Sequence, residues 1–210
     1  MDTNPRANNK DLAVFLLLIG LGYAGLVKFL FMDYLYPLDW LHRLLILAVF
    51  CYFYREDISL PGPVAAYLTF ANFRSVVLAT LLILVGKRTI DVAAGITQLY
   101  LIWDWFHYPL LKAGLLKSID LTFGVVLVAV TEELVYRKLA LRVISQWSRN
   151  PWVIYLASSL IFASLHIPQG LDSVAIAFVA GLFLMHAYRS RGTLLVPIAA
   201  HYFVDLYIFI

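Results

Sequence analysis

The sequence predicts an all-α, polytopic membrane bundle of about eight transmembrane helices, with its chemistry in the C-terminal helices. Three observations carry that prediction. The 210 residues are 62% hydrophobic and only 14% charged, where a soluble domain has about a quarter charged residues. Mean hydropathy is +0.83. Apolar runs approaching the roughly 20 residues that a span requires recur along the chain, separated by short polar breaks. The length fits a single integral membrane domain over residues 1–210, with no room for a separate soluble module.

Each element follows from its own stretch. The polar "MDTNPRANNK" leads directly into "LAVFLLLIGLGYAGLVKFLF". That run exceeds the apolar core of a secretory signal and continues into more apolar sequence, so it reads as a retained first helix. With it, the segments lie at roughly 12–32, 40–54, 64–85, 92–111, 119–142, 152–167, 174–189 and 194–210. The second is short and reads as interfacial or as a tilted partial span. "REDISLPGP", "GKRTID", "SQWSRNP", "HIPQGLDS" and "YRSRGT" read as breaks, and Pro151 marks a helix start. Aromatic clusters such as "WDWFHY" at 103–108 and "PWVIY" at 151–155 read as interfacial belts. Cys51 is the single cysteine, so no internal disulfide forms. The net charge of +3 includes no basic arm, which excludes a nucleic-acid partner and leaves the lipid bilayer as the expected surroundings.

Ionised residues inside such segments are costly and need a partner or a task. The candidates are Arg74, Asp104, His107, Glu132, Glu133, Arg137, His166, His186, His201 and Asp205. Glu133 and Arg137 are four apart with the acid first, the favourable order for an ion pair on one helix face. Glu132 points about 100° away, so Arg137 can neutralise one acid while the other faces elsewhere. A helix end meeting headgroups explains Lys138, Arg142 and Arg149 better than it explains two adjacent acids behind "VVLVAV". His166 closes the next apolar segment. His201 and Asp205 share a face of the last one, where a carboxylate can orient a histidine ring. Two glutamates and two histidines on three helices suit either general-base activation of water or metal ligation.

The three stretches "EELVYR" at 132–137, "FASLH" at 162–166 and "HYFVD" at 201–205 resemble the motif set of the CPBP intramembrane proteases. That family covers CAAX proteases and bacteriocin-processing (Abi) enzymes. The order and the spacing of roughly 30 residues agree, and "GTLLVPIAAH" is similar to the family's approach to its last histidine. The resemblance covers residues 119–210, leaving 1–118 as variable N-terminal helices. It implies a glutamic-type peptidase without metal or cofactor. Glu132 and His166 would activate water, Glu133 and Arg137 would hold and tune Glu132, and His201 with Asp205 would stabilise the oxyanion. The implied partner is a membrane-anchored peptide or protein: a prenylated C-terminus, a leader peptide or a C-terminal sorting signal. CAAX prenyl proteases of the eukaryotic type carry asparagine where this chain has Asp205. That departure and the short chain favour a prokaryotic plasma-membrane enzyme acting on an unprenylated tail.

Overall fold

The structure, a computed structural model, describes residues 9–30, 35–55, 67–97, 111 and 113–210. The described elements are all helical and number seven rather than the eight expected. Helix α1 (Asn9–Ala24) runs on as a 3₁₀ segment, Gly25–Leu30. Helix α2 spans Leu35–Phe53 and α3 spans Phe70–Thr97. Helix α4 is continuous over 115–144 but changes pitch twice, with π-helical segments at Asp120–Gly124 and Leu134–Leu139. Helices α5 (Pro151–Ser164), α6 (Leu171–Arg191) and α7 (Leu195–Phe209) complete the chain.

Two boundaries depart from the sequence reading, each for a local reason. "GKRTID" is not a break but lies inside α3. Lys87 and Asp91 pair at 2.7 Å across one turn, and Thr89 bonds back to the Val85 carbonyl, so the charges support the helix. The segment expected at 92–111 therefore begins as the end of α3. Its remainder, with "WDWFHY", Asp104 and His107, lies outside the described residues. Helix α2 starts at Leu35, so it reaches 19 residues and takes in Asp39. That makes it longer than the short segment expected. Among the described residues, Asn9–Lys28, Leu35–Phe53 and Leu171–Arg191 are long and apolar enough to cross a membrane.

The later boundaries follow their capping chemistry. Asn150 accepts a hydrogen bond from the Trp152 amide at 2.9 Å ahead of Pro151, which starts α5. Helix α6 stops where Gly192 takes the left-handed conformation, φ 65°.

One hydrophobic core joins α1, α2, α4 and α5 through Leu18, Phe50, Val135, Leu139, Val143 and Phe162. A second joins α3, α6 and α7 through Ile83, Leu184, Val196 and Val204. Helix α4 packs on both α2 and α7, so it bridges the two. The outer surface is apolar as well. Leu78, Leu81, Leu82, Val85 and Ile96 of α3 are exposed, the pattern expected of a helix whose solvent is hydrocarbon.

Candidate functional site

Helix α4 delivers both acids. After "VVLVAV", Thr131 turns its hydroxyl back to the Leu127 carbonyl at 2.7 Å, so the polar side chain stays satisfied within the helix. Glu132 and Glu133 follow and both are buried. The helix then widens into its second π segment, a feature frequent at functional sites.

The two acids have different surroundings. Both oxygens of Glu133 are committed. Oε1 accepts from His201 Nδ1 at 2.9 Å, and Oε2 pairs with Arg137 Nε at 2.9 Å. Arg137 is wholly buried, with its guanidinium 4.7 Å above the Phe162 ring. A stacked, paired guanidinium compensates for lost hydration better than an isolated charge would. Glu132 has one committed oxygen, since Oε1 accepts from Arg43 Nη1 at 2.7 Å. Oε2 lies 3.8 Å from His201 Nε2, beyond direct hydrogen-bond range.

Helix α7 brings His201 between the acids. With Nδ1 turned to Glu133, Nε2 faces Glu132 and stands 3.4 Å from Asp205 Oδ2. His201 and Asp205 are one turn apart, as their spacing predicts. His166 sits in the turn after α5, its Nδ1 3.3 Å from the Phe162 carbonyl oxygen. Phe162 stands centrally, its ring 5.1 Å from that of His166 and 6.2 Å from that of His201. The phenylalanine of "FASLH" thus packs against both histidines and Arg137.

Glu132, His166, His201 and Asp205 line one cavity of about 350 Å³ between α2, α3, α4, α6 and α7. Its walls are mixed. Ile83, Val128, Ile176 and Leu184 are apolar, whereas Lys87, Asp91, Asp120 and Asp172 bring charge. Glu133 and Arg137 support this wall from behind. Arg74 and His186 are exposed and do not line it.

Sequence reasoning missed a charged group on α1 and α2. Lys28 pairs with Asp39, Asp39 lies 3.4 Å from Arg43 Nε, and Arg43 reaches Glu132. The available signal was Asp39 and Arg43 one turn apart in an apolar helix. Starting the second segment at residue 40 separates them, and Arg43 is not among the candidates.

Residues 114–207 match the family model described as type II CAAX prenyl endopeptidase Rce1-like. Comparison with curated proteins and with solved structures gave no match. The matched residues hold "EELVYR", "FASLH" and "HYFVD" in order, and the fold closes these three stretches around one cavity. Over residues 114–207 the chain therefore carries an Rce1-like domain, consistent with the CPBP family of membrane-embedded proteases.

Proposed function

We propose that the protein is an intramembrane endopeptidase in which Glu132 is the general base. One observation carries this reading: of two adjacent buried glutamates, only Glu132 presents an oxygen to the cavity that no close hydrogen bond occupies. A base must reach the proton it removes, and Glu133, hydrogen-bonded to His201 at one oxygen, ion-paired with Arg137 at the other and set behind the cavity wall, cannot.

The proposed reaction is hydrolysis. A water held between Glu132 and His166 gives its proton to Glu132 and attacks the scissile carbonyl carbon. The resulting oxyanion takes a hydrogen bond from His201 Nε2. The proton then passes to the leaving nitrogen as the C–N bond breaks, returning Glu132 to its starting state. For Nε2 to donate while Nδ1 donates to Glu133, His201 must be an imidazolium. The charge balance supports that state. Lys28, Arg43 and Arg137 face four carboxylates, Asp39, Glu132, Glu133 and Asp205, and one further cation neutralises the set. Asp205 then acts beside His201 as its counter-charge, the role open to a carboxylate where the eukaryotic-type enzymes have an amide.

The substrate is a membrane-associated peptide. A cavity of about 350 Å³ with apolar and charged walls accepts a chain that leaves an apolar anchor for a polar segment. The proposed location is a prokaryotic plasma membrane, crossed several times. The test uses purified protein in liposomes with internally quenched peptides: a farnesylated CAAX peptide, one with an unprenylated apolar tail, and one of leader type. Glu132→Gln and His166→Ala should each lower kcat by about 10²-fold or more, with activity indifferent to chelators. Wild-type turnover in either variant rejects the mechanism.

A further inference from the structure

We infer that Arg43, on α2 and outside the matched residues 114–207, is a positioning residue for Glu132. It fixes one carboxylate oxygen so that the other faces the cavity. The inference rests on the reading of Glu132 as base.

Three observations support it. Arg43 Nη1 donates to Glu132 Oε1 at 2.7 Å, while Oε2 is left 3.8 Å from the nearest nitrogen of His201. A carboxylate with one oxygen clamped has its second oxygen set in direction, and a charge-assisted bond from a guanidinium is a strong clamp. Second, Arg43 is itself held. Asp39, one turn back, lies 3.4 Å from its Nε, and Lys28 holds Asp39 from the end of α1. Third, α2 is fixed against α4 close by, since Trp40 Nε1 donates to Asp120 Oδ1 at 2.9 Å. Trp40 and Arg43 are three apart and so lie on one helix face. They tie that face to α4 at two points, Asp120 and Glu132.

Glu133 and Glu132 thus have separate guanidinium partners. Arg137 reaches Glu133 from within α4. Arg43 reaches Glu132 from a helix 89 residues earlier in the chain. Without Arg43, the counter-charge left to Glu132 would be the His201 imidazolium, 3.8 Å away and shared with Glu133 and Asp205. A buried carboxylate so weakly compensated binds a proton more readily, and a protonated carboxyl is no base. Lysine would restore the charge but not the planar fork.

The test does not depend on knowing the substrate. Dicyclohexylcarbodiimide modifies protonated carboxyls in apolar surroundings, and peptide mass spectrometry locates the adduct. In detergent-solubilised, monodisperse protein, Arg43→Gln should raise labelling at Glu132 about tenfold, the scale of a lost charge-assisted bond. Arg43→Lys should stay near wild type. Equal labelling of Glu132 in wild type and Arg43→Gln overturns the inference. On the quenched peptides, Arg43→Gln should lower kcat about tenfold or more with KM unchanged, and Arg43→Lys should restore part of it. Wild-type turnover in Arg43→Gln, alongside an inactive Glu132→Gln, also overturns it. Wild-type turnover in Glu132→Gln instead rejects Glu132 as base, while the labelling result still decides whether Arg43 holds it.

Discussion

At the scale of single residues, the site is built from charges that satisfy one another. Arg137 is the clearest case, fully buried between Glu133 and the Phe162 ring. Breaking a buried pair by removing one partner costs roughly 3–5 kcal/mol, whereas replacing both is often neutral. Arg137→Met should therefore lower the unfolding temperature in detergent sharply. Glu133→Gln with Arg137→Met should recover most of the loss, since glutamine still accepts from His201. A single variant melting within a degree of wild type would contradict this. The pairing of Glu133 with Arg137 was legible in the sequence, because four residues make one helical turn. The partner of Glu132 was not. Arg43 lies 89 residues away, and no local spacing announces a contact between helices.

At the scale of elements, three helices carry the proposed catalytic residues and a fourth packs against all three. Helix α6 contacts α5 where Gly181 meets Ser159. A Cβ at Gly181 would lie 2.9 Å from the Ser159 side chain and 3.0 Å from its Cα, too close for any side chain. Gly181→Leu should cost about 1–3 kcal/mol through overpacking. It should also move α5, and with it His166 at its end. The variant should thus melt earlier and lose kcat beyond its loss of folded protein, while Ala at Ser159 should relieve part of both effects. Full activity in folded Gly181→Leu would show that the α5–α6 crossing does not set the position of His166. Element boundaries were less legible than motifs. Composition marked "GKRTID" as a loop, but side-chain pairing between Lys87 and Asp91 let α3 run through it.

At the scale of the whole molecule, the N-terminal helices are part of the working structure. The core that buries Val135, Leu139 and Val143 of α4 is completed by Val14, Leu18, Ile46 and Phe50 from α1 and α2. The second anchoring charge of the site comes from α2 as well. A fragment covering residues 114–210 should therefore fail to give a monodisperse species on size exclusion, and co-expression with residues 1–113 should restore it. A well-folded, active fragment would overturn that expectation. The sequence distinguished a motif-bearing half from a half of plain membrane helices. That division follows chemistry visible as short patterns. The physical division runs differently, because apolar packing leaves no motif.

The π segment at Leu134–Leu139 has a further consequence. It carries more residues per turn than the α-helical stretches on either side, so it offsets the phase between the faces that precede and follow it. Upstream, that phase presents Glu132 to the cavity. Downstream, it presents Val143 and Ile144 to the core. Changing a side chain in this segment alters one contact. Removing a residue from the α-helical stretch on either side would turn everything beyond it by about 100°, and the acids and the core could no longer both face inward. Helix α4 is thus constrained in its residue count as well as its composition, like a key whose cuts must sit at fixed distances along the blade.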